Sequence, residues 1–257
     1  MSKSKVIAVA NQKGGVGKTT TGINLAASLA HAGRRVMLID IDPQGNATVG
    51  SGAEKEQLGK TVYDVLINRA SLAEARMKTK AGFDLVPANG NLTGAQVELI
   101  DEIGRELRLR MALNPVREEY DYILIDCPPS LNLLTLNALV AADAVIIPMQ
   151  CEYFALEGLT ALIDTIRKIR ETLNPRLRIE GLLRTMFDGR NTLANEVSDQ
   201  IQSHFGDKVY RTIIPRNVRL AEAPSYGQTV LDYDLGSKGA QAYVDLATEI
   251  LQREQAA

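Results

Sequence analysis

The stretch AVANQKGGVGKTT, residues 8–20, carries a lysine at each end of a glycine run, Lys13 and Lys18. It follows the apolar, β-rich run KVIAVA (5–10) and leads into a helical stretch, TTGINLAASLAHAG (20–33), that ends at Gly33. Strand, glycine turn, Lys-Thr and helix, in that order, make a phosphate-binding loop. Gly14, Gly15, Val16 and Gly17 let backbone N–H groups converge on phosphate oxygens, and the helix N-terminus adds partial positive charge. Lys18 is then placed to reach the β- and γ-phosphates of a nucleotide, and the Thr19 hydroxyl to ligate Mg²⁺, with Thr20 beside them. The plain alternative, a glycine-rich turn with surface lysines, leaves the strand before and the helix after unexplained. A loop of the ordinary kind needs only the second lysine, so the role of Lys13 stands as a question.

The same alternation runs outward along the chain. RVMLID (35–40), FDLVPA (83–88), YDYILID (120–126), DAVIIPM (143–149), RIEGLLRTMF (178–187) and KVYRTIIP (208–215) also read as strands. Most are continuously apolar rather than alternating, as strands covered on both faces are. Helical patterns lie between them, the longest being LEGLTALIDTIRKIRETL (156–173); SKGAQAYVDLATEILQRE (237–254) closes the chain behind a Ser237 cap. This rhythm predicts one α/β domain over 1–257, a doubly wound, mostly parallel sheet flanked by helices. The polar, glycine-rich segment 45–60 reads as a mobile surface loop.

Bulk composition narrows the partners. With 45% hydrophobic residues and a formal net charge of −2, the 257-residue chain projects no global basic field, so any DNA contact has to come from a local patch. Its two cysteines, Cys127 and Cys151, are too few for a disulfide framework and suit a reducing compartment; both read as buried small hydrophobes. No run approaches the ~18 apolar residues of a membrane span. The expectation is a cytoplasmic protein with no membrane partner.

Acids at strand ends complete the candidate site. YILID closes on Asp126 at the carboxyl edge of a strand, where a P-loop nucleotidase holds Mg²⁺ through water. VMLID closes on Asp40, and Asp42 follows two residues on, so that both lie on one side of an extended chain. Asp42, ahead of Pro43-Gln44-Gly45, can face the metal and orient an attacking water, or it can simply cap the turn.

KGGVGKTT (13–20), LIDIDPQGNAT (38–48), ILIDCPPSL (123–131), PMQCEYFALEGL (148–159) and IIPRNVRLAEAPSYGQ (213–228) together resemble the ParA/Soj chromosome-partitioning ATPases, in the deviant Walker A branch of P-loop proteins. The likeness runs over roughly residues 5 to 250. It implies ATP with Mg²⁺ and an ATP-bound homodimer in which Lys13 crosses to the partner's nucleotide, with Lys13, Lys18 and Asp42 as the catalytic residues. It also implies that Asn217 bonds the adenine edge while Pro215 or Met186 packs on its face; Met186 as plain core filler is the competing reading.

Arg184, Arg190, Lys208, Arg211, Arg216 and Arg219 gather in the last third of the chain. Without interleaved aromatics or a helix-turn-helix they would track phosphates rather than read sequence, unless they are only a solvated face. The resemblance implies nonspecific double-stranded DNA binding, with Arg190 and Arg219 in contact, a nucleoid location, and a ParB-type centromere-binding protein that stimulates hydrolysis. Several other readings compete. A MinD-like membrane or division-site ATPase needs a basic amphipathic C-terminal helix, and the tail stripe Val244, Ala247, Ile250, Leu251 comes with one basic residue, Arg253. A nitrogenase-type iron protein needs glycine-flanked cysteines, which DCPPS lacks. A small-molecule ligase needs further acid/base groups, and His31 and His204 lie far from the loop in sequence.

Overall fold

A computed structural model describes residues 4–255. Seven strands form one sheet: β1 Lys5–Val9, β2 Val36–Asp40, β3 Met77–Lys78, β4 Asp84–Val86, β5 Tyr122–Asp126, β6 Ala144–Met149 and β7 Arg178–Arg184. Their order is β3-β4-β2-β5-β1-β6-β7, with only the β3–β4 pair antiparallel. The five longest helices are α1 Lys18–His31, α2 Leu133–Ala141, α3 Ala155–Thr172, α4 Thr192–Phe205 and α5 Lys238–Gln255.

Continuous apolar strands require cover on both faces, and they receive it. Ile7 and Leu38 face a core with Ile23 and Leu25 of α1 and Tyr243 and Leu246 of α5. Their neighbours Val6 and Ile39 face the other, with Leu134 of α2, Leu159 of α3 and Ile201 of α4. The chain leaves β1 toward one face and β5 toward the other, which opens a crevice between their carboxyl ends. In an open α/β sheet such a crevice is the place where ligands bind. Register brings the chemistry there, since Val9 pairs with Asp126 and Asp40 pairs with Asp126 across β1, β5 and β2.

The caps follow the sequence reading. α1 gives way to Ala32 and then Gly33 at φ 78°, and the Ser237 hydroxyl accepts the Ala240 N–H at 3.2 Å. Ala247 and Ile250 of the tail stripe are buried in the core.

Two expectations differ, and one strand was not foreseen. Residues 208–215 do not form a strand: Val209 and Pro215 make isolated bridges to Leu182 and Phe187. Tyr210 and Ile214 still donate their N–H groups to the Leu182 and Arg184 carbonyls at 3.0 and 2.9 Å, and side chains serve the residues between them. Glu249 accepts the Arg211 and Thr212 N–H groups at 3.0 and 2.9 Å, Arg184 donates to the Tyr210 carbonyl at 2.8 Å, and the Tyr210 ring lies against Gly181. The segment 45–60 is not one loose loop. Asn46–Gly50 is helical and Thr48 is fully buried, donating both its N–H and its hydroxyl to Asp40 at 2.8 Å. The edge strand β3, two residues long, has too little periodicity to be legible beforehand.

Candidate functional site

The loop between β1 and α1 is held open from below. Gly15 and Gly17 take φ values of 73° and 84°, which only glycine adopts without strain. A methyl group built on Gly14 or Gly15 would meet nothing within 4 Å, so a phosphate can approach the backbone closely there. Beneath, the Thr185 hydroxyl donates to the Val16 carbonyl at 2.8 Å and the Asn11 amide to the Pro148 carbonyl at 2.8 Å, stitching the loop to the ends of β7 and β6. No side chain caps the N-terminus of α1, so its first N–H groups remain free to bond an anion.

Lys18 is buried, and its ammonium donates to the Lys13 carbonyl at 2.9 Å. Burial lowers its pKa, opposed by the nearby Asp126 charge. Lys13, by contrast, is exposed and ion-paired with Glu152 of its own chain. Thr19 donates its hydroxyl to Asp126 Oδ2 at 2.8 Å, and Asp126 Oδ1 is buried without a hydrogen-bond partner among the described residues. Burial first, and then the Asp40 charge, push the Asp126 pKa well above the usual carboxylate range. Asp40 is raised to about 6, again by burial first. A buried carboxylate with a free oxygen beside a threonine hydroxyl is the donor set that a magnesium ion and its waters complete. Among the described residues no three His, Cys, Asp or Glu side chains cluster as a metal site of their own.

Asp42 lies two residues beyond the end of β2, past the extended chain on which it was expected. Its Oδ1 accepts the Gln44 N–H at 2.9 Å, the turn-capping role, and Oδ2 has no hydrogen-bond partner among the described residues. Both roles therefore fit one carboxylate.

A cavity of about 170 Å³ lies alongside, lined by Gly17, Thr20, Met186, Pro215 and Asn217 among others. Met186 has φ 48°, strained for a side-chain-bearing residue, and its sulfur accepts the Gln150 amide at 2.8 Å. Sequence reasoning did not mark Gln150, Glu152 or Tyr243, which closes the cavity from α5 with its hydroxyl 3.1 Å from Thr21 Oγ1. Tyr243 lies 222 residues from Thr21, and no local pattern signals the pairing. Asn217 caps the helix Val218–Glu222, its Oδ1 accepting the Leu220 N–H at 3.3 Å, so its amide N–H₂ is the group left for a ligand.

The arginines separate. Arg184 is buried and bonds Ser198 Oγ and the Tyr210 carbonyl, so it belongs to the scaffold and not to a surface patch. Arg190, with its side chain 90% exposed, is gripped by both oxygens of Asp188. Arg219 pairs with Glu222 and Asp234. Cys127 and Cys151 are buried, the first with its thiol pKa far above normal and the second pushed up to about 11, both chiefly by burial; they are inert hydrophobes as expected.

A family described as an AAA domain matches residues 4–179. The chromosome partitioning protein ParA of Caulobacter vibrioides is 54% identical over 254 residues, covering 98% of this chain and 95% of its own length. The sporulation initiation inhibitor protein Soj of Bacillus subtilis is 54% identical, covering 96% of this chain and 98% of its own. Among solved structures, the cobyrinic acid a,c-diamide synthase of Mycobacterium smegmatis with bound ADP and magnesium aligns with a TM-score of 0.86 at 38% identity, covering 98% of this chain and 96% of that one. Likeness end to end to proteins bearing the partitioning names, over a loop, acids and sheet that suit a nucleotide, decides the matter: the chain belongs to the ParA/Soj family of chromosome-partitioning ATPases.

Proposed function

We propose that this chain is an ATP-hydrolysing switch: ATP with Mg²⁺ joins two copies into a dimer, the dimer binds double-stranded DNA without sequence preference, and hydrolysis, stimulated by a ParB-type partner, releases it. The observation that carries the nucleotide chemistry is the free buried oxygen of Asp126 beneath the Thr19 hydroxyl at the mouth of the phosphate loop. Similarity to nucleotide- and magnesium-bound neighbours supports the ligand, and similarity to ParA and Soj proteins supports the role.

The residues divide the work. Gly14 to Thr20 hold the phosphates through backbone N–H groups, and Lys18 exchanges the Lys13 carbonyl for phosphate oxygens, its burial strengthening that contact. Thr19 and Asp126 would hold the magnesium ion, which when bound would supply charge neutralisation for phosphoryl transfer. Asp42, with its free Oδ2, positions the attacking water. Lys13 leaves Glu152 and reaches the partner's nucleotide, where a water-excluding interface makes a cation worth most. Asn217 donates its amide to the base while Met186 and Pro215 pack on it. Arg190 and Arg219, each present twice in a dimer, contact DNA phosphates, so that ATP gates binding through avidity.

The tail stripe offers the membrane alternative little apolar surface, because Ala247 and Ile250 face the core. The test is chromatography with ADP or non-hydrolysable ATP, each with and without duplex DNA, beside Lys18→Ala. The expected result is a dimer with the ATP analogue alone, DNA co-elution of that dimer, and neither in Lys18→Ala. A monomer in every nucleotide state that ignores DNA overturns the proposal.

A further inference from the structure

Away from the phosphate site, two helices leave an apolar channel between them. Leu133 and Leu136 of α2 stand three residues apart, hence on one face, and both are only partly buried. With Leu131, Leu139, Ile100 and Ile169 of α3 they line an open groove of about 460 Å³. From Ile100, exposed to 58%, apolar surface continues in sequence to Val97 and Ile103, exposed to 71% and 98%. Single exposed aliphatics are ordinary, whereas a run of them beside an apolar groove marks an interaction surface. One wall is already in place, since Asn137 of α2 donates to the Arg105 carbonyl at 2.9 Å and accepts the Leu109 N–H at 3.1 Å. An occupant would not have to order that wall.

Charge identifies the occupant. The groove has two charged lining residues, Arg105 and Lys168, and both are cations. Their neighbours Arg108 and Arg167 are paired with Glu102 and Asp164, but among the described residues Arg105 and Lys168 have no carboxylate in salt-bridge reach. Arg105 donates to the Ile100 carbonyl at the groove's edge, and neither it nor Lys168 is neutralised by an acid among the described residues. Cations without carboxylate partners beside a leucine-lined trough match a helix with an apolar stripe edged by acids, seated as helices seat in hydrophobic grooves. We propose that this groove docks an amphipathic helix of a partner protein, its apolar stripe on Leu133 and Leu136 and its flanking carboxylates on Arg105 and Lys168. Leu131 lies five residues after Asp126 in one connection, so the occupant rests on the chain segment that leaves the phosphate site.

The probe is a fluorescently labelled synthetic amphipathic helix with a leucine stripe flanked by glutamates, beside a counterpart carrying lysines instead. Anisotropy with the nucleotide-free full chain should show the glutamate peptide binding and the lysine peptide not. The double variant Arg105→Glu/Lys168→Glu should weaken it at least about tenfold, as two reversed rim charges should. Leu131→Glu, at an exposed position, should do so independently, with unchanged thermal unfolding as the control for folding. Equal binding of both peptides, no binding of either, or full affinity in the charge-reversed variant overturns the proposal. So does self-association of the chain that Leu131→Glu abolishes, for then a second copy is the occupant.

Discussion

The ammonium of Lys13 lies 2.5 Å from a Glu152 carboxylate oxygen in its own chain, although the two residues are 139 apart in sequence. The lysine that the loop itself does not need is thus parked on the surface, with its side chain 45% exposed. An exposed ion pair is worth only about 0.2–1 kcal/mol, so it holds the lysine loosely and releases it readily to a stronger anion.

Lys13→Ala should therefore keep monomeric ATP binding and lose the ATP-induced dimer, measured by nucleotide titration and by light scattering. Glu152→Gln, which frees the lysine in both subunits, should strengthen that dimer by up to about 30-fold, the equivalent of about 2 kcal/mol. Normal dimerisation of Lys13→Ala would refute action in trans.

Asp42→Ala should bind ATP and dimerise, yet hydrolyse about 10²-fold more slowly, because a water-orienting acid acts on the transition state. Asp42→Asn separates its two roles. The amide oxygen can still accept the Gln44 N–H, so folding should be preserved while turnover is lost. Turnover within about threefold of the parent in both variants, measured by phosphate release, would leave Asp42 as a turn cap alone.

Arg219→Glu should retain the ATP dimer and lose duplex DNA, equally for unrelated sequences of the same length. Arg219→Ala should flatten the log K versus log salt slope by up to about 1.8, roughly 0.9 for each of two copies. Asp188→Asn should act in the opposite direction, since Asp188 grips the Arg190 guanidinium with both oxygens and that ion pair holds the acid's pKa at about 2. Filter binding of the ATP dimer should show tighter DNA association. Unchanged affinity in Arg219→Glu and Asp188→Asn alike would move the DNA surface elsewhere.

Gly181→Ala tests the stretch where strand pairing gives way to side chains. A methyl there would overlap Cε2 and Cζ of Tyr210, on a ring that is fully buried. Overpacking of this kind costs about 1–3 kcal/mol, readable as a lowered denaturant midpoint with an unchanged slope. Tyr210→Leu should recover part of the loss in the double variant. A midpoint equal to the parent's would mean that Tyr210 does not pack on Gly181.

Residues 8–20 were enough to determine the phosphate loop, because everything that makes it is local: a strand that must be buried, glycines free to take positive φ, and a helix whose first turn lacks a side-chain cap. The continuous apolar strands likewise determined a sheet covered on both faces. Tertiary structure alone decided which distant groups meet the loop. Thr19 finds Asp126 across 107 residues because β1 pairs with β5 in the register that sets Val9 beside Asp126, and strand register is a long-range choice that periodicity does not encode. It also decided that Arg184 is scaffold and that 208–215 is no strand. There Glu249, from the far end of the chain, supplies the acceptors a neighbouring strand would have offered, and a backbone N–H takes whichever partner folding places before it.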